Sequence, residues 1–287
     1  MPRARIAIAA ALCALASHVA AAGELRTLRV GGLERAYRLH EPALWPGPEL
    51  PLVLVLHGSG GNPAAIESQT GFSEEADWRG FAVAYPAAAE TSERRWNAGT
   101  CCGSADDVAF LRAVVDDAAS LLPIDRRRVY AAGLSNGGMM AYRLACEAGD
   151  SFAAVGVVAG ALIAADCAPA VPVSVIHVHG TRDALVPLTG GPGALGLSYP
   201  TTDAAIELWL SADGCDPTPE LAAVLPDVVR RRHARCRAGT AVELYRIADG
   251  KHTWPGGNRL SVILPPPPRT LDTTRVLWEF FESHPKE

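Results

Sequence analysis

Hydrolysis at a carbonyl needs a nucleophile, a base to take its proton, an acid to orient that base, and donors for the developing oxyanion. This chain offers a residue of each type beside a strand-like run. Ser135 is the middle of Gly133-Leu134-Ser135-Asn136-Gly137, with the β-prone Val129-Tyr130-Ala131-Ala132 before it and the helix-forming Gly138-Met139-Met140-Ala141-Tyr142 after it. A strand that turns straight into a helix around a serine lifts the hydroxyl above the sheet edge, and glycines two residues either side leave room for the turn. The same turn leaves the Asn136 N–H free to bind an oxyanion. Asp183 follows the apolar run Val173 to Val178, in His179-Gly180-Thr181-Arg182-Asp183, and is the expected acid. His252, in Asp249-Gly250-Lys251-His252-Thr253-Trp254, follows the apolar stretch Val242 to Ile247 and is the expected base. A second oxyanion donor is expected from the loop His57-Gly58-Ser59-Gly60-Gly61-Asn62, with the Ser59 N–H preferred and Gly60 next.

Each assignment has competitors. His57 belongs to the glycine-rich loop, where it buttresses the turn rather than acting as base. His40, His233 and His284 lie in segments without a supporting motif. His177 and His179 share one face of a strand and raise a metal pair, but a third ligand at useful spacing is missing, so structural histidines are expected and no metal. Asp106 and Asp107 open a helical pattern (Val108, Leu111, Val115, Ala118, Leu122) and are read as its N-terminus rather than as catalytic groups. Arg230-Arg231-Arg232-His233-Ala234-Arg235 reads as a solvated surface segment, and Pro265 to Pro268 as a stiff extended loop.

The elements that must position these residues alternate. A hairpin about Gly31-Gly32 precedes the continuous apolar strand Leu52 to Leu56, which suits a strand buried on both faces of a parallel sheet. Strands over Phe81 to Tyr85, Val129 to Leu134, Ala153 to Val158, Val173 to Val178 and Val242 to Ile247 are interleaved with helices over 106–122, after Ser135, over 203–212 and over 271–282. That order predicts an α/β fold with a mostly parallel sheet, a single domain, and a ligand site outside the carboxyl ends of the strands. Ser59, Ser135, Asp183 and His252 all fall at such ends.

At 287 residues, 49% hydrophobic and 20% charged, with a net charge of -5, the chain can bury a large core and gives no reason to expect nucleic acid as partner. Arg3 and Arg5, the apolar run Ile6 to Ala16 and Ala20-Ala21-Ala22 predict a signal peptide over 1–22, with the catalytic domain over 23–287. The apolar run is too short to span a bilayer, so a secreted or periplasmic protein without a membrane partner is expected. Losing Cys13 with the leader leaves six of seven cysteines, an even number that favours disulfides in an exported chain. Cys215 with Cys236 closes a local loop and is the pairing expected. Adjacent Cα atoms lie about 3.8 Å apart, below the usual disulfide window. Cys101 and Cys102 are therefore expected to reach distant partners, with Cys146 and Cys167 the nearest candidates.

The motifs His57-Gly58-Ser59-Gly60-Gly61, Trp96-Asn97-Ala98-Gly99, Cys101-Cys102-Gly103, Asp106-Asp107-Val108, Gly133-Leu134-Ser135-Asn136-Gly137-Gly138, His179-Gly180-Thr181-Arg182-Asp183 and His252-Thr253-Trp254-Pro255-Gly256 run in order over nearly the whole chain after the leader. Together they resemble the secreted polyhydroxybutyrate depolymerase and feruloyl esterase family, within the α/β-hydrolase superfamily. The resemblance implies an α/β-hydrolase fold, a triad of Ser135, Asp183 and His252, disulfides that brace the cleft, and Trp96 and Trp254 lining the acyl pocket. Extracellular depolymerases of solid polyester often carry a separate polymer-binding domain, so a chain of this extent is expected to act on soluble oligomers or small esters. The expected function is a serine carboxylesterase working through an acyl-enzyme without a cofactor. An acetylxylan or other carbohydrate esterase, or a peptidase of the same fold, is the alternative. A non-catalytic binding protein would need a broken triad.

Overall fold

The computed structural model describes residues 24–258 and 270–287. The expected leader over 1–22 and the Pro265 to Pro268 stretch lie outside the described residues. The chain opens with an antiparallel hairpin, β1 (Glu24–Val30) and β2 (Leu33–His40), which turns at Gly31 and Gly32, both at positive φ. β3 (Leu50–Leu56) follows, then α1 (Pro63–Thr70), α2 (Phe72–Arg79), β4 (Ala82–Pro86), α3 (Asp107–Leu121) and β5 (Ile124–Leu134). Next come α4 (Asn136–Glu147), β6 (Ala154–Val158), β7 (Ser174–Gly180), a small ribbon of β8 (Gly191–Pro192) and β9 (Ser198–Tyr199), and α5 (Thr202–Ala212). β10 (Glu220–Leu225), β11 (Val228–His233), β12 (Val242–Ile247) and α6 (Thr273–Glu282) complete it.

One sheet of ten strands runs in the order β1-β2-β4-β3-β5-β6-β7-β12-β11-β10. Its six central strands, β4 through β12, are mutually parallel, and an antiparallel pair is added at each edge. Burial on both faces explains the unbroken apolar composition of β3. Leu52, Leu54 and Leu56 face one layer with α3, α4 and α5, while Val53 and Val55 face the other with α1, α2 and α6. Every residue of β3 and β7 is buried, so removing a side chain such as Leu54 would cost about 2–5 kcal/mol.

Two regions were not legible in the sequence as elements. Helices α1 and α2 are short and weakly patterned. Their boundaries come from local chemistry: Asn62 accepts from the Ala65 N–H at 2.9 Å, Pro63 occupies the first turn, and Gly71 and Gly80 close the two helices at positive φ. The arginine run lies in β11, with Arg231 and Arg246 sharing Asp203 and Arg232 pairing with Glu243. It is a paired strand in which Arg231 and Arg232 meet carboxylates.

Cys215 bonds Cys236, and Cys146 bonds Cys167. The expectation for Cys101 and Cys102 is overturned, because they bond each other across a Cα separation of 3.7 Å. The usual Cα window describes cysteines on separate segments. For neighbours the intervening peptide closes a small ring, and Cys102 takes a φ of 80°.

Asp213 is fully buried at the end of α5, accepting from the Val173 N–H. Burial pushes its carboxyl up to about 6, against about 3.9 in an unfolded chain. Its contribution is therefore complete below the unfolded pKa and is lost as pH rises through about 6. Asp213→Asn is expected to gain stability relative to the parent between pH 4 and pH 7, on the order of 2 kcal/mol, read from thermal unfolding at both pH values.

Candidate active site

Ser135 sits between β5 and α4 with φ 57° and ψ -121°, a conformation costing about 1–3 kcal/mol for a residue with a side chain. Backbone hydrogen bonds hold it there, from the Ser135 N–H to Val158 O and from the Met139 N–H to Ser135 O. The flanking glycines are dictated by contact. A Cβ on Gly133 would lie 2.3 Å from the Gly137 carbonyl carbon, and one on Gly137 would lie 2.2 Å from Leu56 O. Backbone meets backbone at both places, so no larger residue fits.

Asp183 lies beyond β7 and His252 beyond β12, parallel neighbours in the sheet. The His252 Nδ1–H donates to Asp183 Oδ2 at 2.7 Å, which leaves Nε2 as the basic nitrogen. Asp183 Oδ1 accepts from the Leu185 and Val186 N–H groups, both at 2.9 Å, and His179 Nε2 lies 3.3 Å from Oδ2. Burial alone would raise this carboxyl. The hydrogen bonds from His179 and His252 outweigh it and hold the group well below the ordinary carboxylate range, so Asp183 is an anion.

At the end of β3, the Gly60 N–H donates to Arg94 O and the Gly61 N–H to Gly58 O. The Ser59 and Asn136 N–H groups have no partner among the described residues, which favours Ser59 over Gly60 as the second donor. His57 is buried and braces the loop. Its Nε2 accepts from the Ala88 N–H and its Nδ1–H donates to Gly58 O. Burial pushes its pKa down to about 4, so it is neutral and both nitrogens are committed.

Trp96 and Trp254 do not line the cleft, contrary to expectation. Both are fully buried, and each indole N–H finds an internal acceptor. The Trp96 indole donates to His57 O at 2.9 Å, and its backbone N–H and carbonyl are clamped by the Asn136 amide at 2.7 and 3.0 Å. Trp96 thus ties the loop after β3 to the first residue of α4, a role with no sequence signal beyond the motif itself. Its segment is fixed in turn by the buried Asp107, which accepts from the Asn97 N–H and from Arg35. Asp106 caps α3 as expected, through the Ala109 N–H. The Trp254 indole donates to Thr274 Oγ1 on α6.

The cavity above Ser135 has a volume of about 420 Å³. Ser59, Ser135, Asn136 and His252 converge on it, and Ile66, Leu134, Met139, Leu185, Val186 and Tyr199 form its apolar wall. Gln69 is a polar side chain at its border. Cys101 packs in the cluster behind the wall with Met139, Val186 and Tyr199. The wall was illegible because its residues come from five separate segments with no shared pattern.

A mostly parallel sheet with serine, acid and histidine in that chain order, following β5, β7 and β12, defines an α/β-hydrolase. The family model described as Esterase PHB depolymerase matches residues 36–209. NocK of Nocardia uniformis subsp. tsuyamanensis, described as an inferred esterase, is 36% identical over 81% of this chain and 74% of its own length. Feruloyl esterase B of Piromyces equi is 30% identical over 70% of this chain, which spans 39% of that protein. Among solved structures, the acetyl xylan esterase of Aspergillus awamori superposes with a TM-score of 0.64 over 91% of this chain and all of that one, at 14% identity. The chain belongs to the esterase family of polyhydroxybutyrate depolymerases, and it is a serine esterase.

The two tryptophans separate on kinetics. Trp96→Phe removes the tie to His57 O beside the Ser59 and Asn136 N–H groups and is expected to lower kcat about 10-fold or more on a p-nitrophenyl ester. Trp254→Phe loses its bond to Thr274 and is expected to lower the unfolding midpoint with kcat within about twofold.

Proposed function

We propose that the protein is an exported esterase that cleaves small or oligomeric esters of apolar, uncharged acids through an acyl-enzyme. Ser135 attacks the ester carbonyl, and His252 Nε2 takes its proton. Asp183 holds the imidazole in that tautomer and stabilises its cationic form. The Ser59 and Asn136 N–H groups receive the oxyanion, His252 returns the proton to the leaving alcohol, and water then releases the acid. Each donor of that kind contributes roughly 3 kcal/mol to transition-state stabilisation.

The observation that carries the substrate reading is the composition of the wall. An apolar cavity of about 420 Å³ over Ser135 is far larger than an acetyl group and supplies no cation to a charged acid. Hydroxycinnamoyl and 3-hydroxybutyryl groups suit it, in keeping with the feruloyl esterases among its relatives. Three disulfides and the basic-then-apolar N-terminal pattern support export.

Ser135→Ala is expected to abolish hydrolysis of a p-nitrophenyl ester while leaving the unfolding midpoint within a few degrees of the parent. Assayed in parallel, methyl ferulate or a hydroxybutyrate oligomer should exceed acetylated xylan in kcat/KM by about 10-fold or more, the scale set by filling an apolar pocket. A preference for acetylated xylan would overturn the substrate reading.

A further inference from the structure

We propose that His179 is a positioning residue for Asp183, held in its donating tautomer by a buried chain that begins at Tyr142 on α4. The inference rests on Asp183 being the triad acid. His177 and His179 are fully enclosed on β7, with nearly parallel rings whose centroids are 5.1 Å apart. Tyr142 Oη lies 2.7 Å from His177 Nδ1, His177 Nε2 lies 2.8 Å from His179 Nδ1, and His179 Nε2 lies 2.8 Å from Val186 O. The same Nε2 is 3.3 Å from Asp183 Oδ2, the oxygen that receives His252.

The direction of every proton in this chain follows from its ends. Val186 O can only accept, so His179 carries a hydrogen on Nε2, and with a single proton on the ring its Nδ1 accepts. His177 must then donate through Nε2 and accept at Nδ1, and Tyr142 donates its hydroxyl hydrogen. In the reverse direction the Tyr142 hydrogen would lack an acceptor among the described residues, inside the core, at the cost of an unmade hydrogen bond. Burial drives His177 toward the neutral form as well. The tyrosine therefore fixes the tautomer of His177, which fixes that of His179.

What His179 does with the donated hydrogen is specific to the site. The Val186 carbonyl that it holds belongs to the residue whose N–H binds Asp183 Oδ1. One imidazole therefore restrains the turn from 183 to 186 from within and adds a second donor near the carboxylate oxygen that orients His252. Neither His177 nor His179 borders the cavity, so the effect reaches the substrate only through Asp183 and His252.

Two substitutions separate positioning from filling space. His179→Gln can place an amide N–H where Nε2–H stands, whereas His179→Asn places one where Nδ1 stands and cannot reach Val186 O. Both leave a polar group in the core. On a p-nitrophenyl ester, per folded enzyme, the Gln variant is expected to keep kcat within about threefold, while the Asn variant loses about 10-fold or more with KM unchanged, the range for partners that orient an active group. Tyr142→Phe, which removes one hydroxyl from the far end, is expected to lower kcat by about threefold with KM unchanged. Equal kcat for the two His179 variants, or parental kcat in Tyr142→Phe, would overturn the proposal. Tyr142→Phe decides alone if neither histidine variant folds. Asp183→Asn assayed alongside isolates the other failure: parental kcat there would remove the reading of Asp183 as the acid.

Discussion

The structure depends most on the approach of backbone to backbone under the elbow. Gly137 at the start of α4 lies against Leu56 O at the end of β3, and Gly133 at the end of β5 lies against Gly137. A Cβ on Gly160, after β6, would lie 3.1 Å from Ser135 O. The ends of β3 and β5, the start of α4 and the turn after β6 therefore meet largely backbone to backbone. Packing at that distance forces the positive φ at Ser135, aims its side chain off the sheet, and brings the loop after β3 beside the Asn136 N–H. A Cβ at any of these glycines would move the strand ends apart, and the donors would cease to converge.

Once the strand ends are fixed, burial decides the electrostatics. Asp183 is enclosed, which would neutralise an isolated carboxyl. Two backbone N–H groups and two imidazoles keep it ionised instead. His57, equally enclosed but without a carboxylate, goes the other way and stays neutral. A carboxylate kept charged and an imidazole kept neutral, both enclosed beyond strand ends, thus owe their states to their partners. Position along the strand does not distinguish them.

The fold was legible because apolar runs of strand length alternated with helical periodicity, and because Ser135, Asp183 and His252 each followed such a run. What the sequence hid has a common physical cause: it depends on side-chain direction rather than on residue type. Trp96 and Trp254 sit in motifs beside the site, yet their indole N–H groups find acceptors inward, at His57 O and Thr274, so their rings turn away from the cavity. Met139, Leu185 and Tyr199 face it without any sequence signal. The Cys101–Cys102 bond carries no sequence signal, because the usual Cα window does not describe neighbours, where a positive φ at Cys102 accommodates the ring. The His179 to Asp183 spacing was visible as a motif, but only the structure shows the ring edge turned toward the carboxylate.

Directionality is also what joins the two halves of the site. Helix α4 begins at the elbow and carries Tyr142 two turns later, while β7 carries His177 and His179 and runs out into the Asp183 turn. A chain of hydrogen bonds with one allowed direction connects them, so sliding α4 along the sheet would break a bond in the core. Apolar packing between the same elements would tolerate small shifts, since dispersion contacts carry little directional preference. The buried polar residues therefore add a constraint that hydrophobic side chains of similar volume could not supply: they make the register between α4 and the loop that holds Asp183 a matter of proton placement.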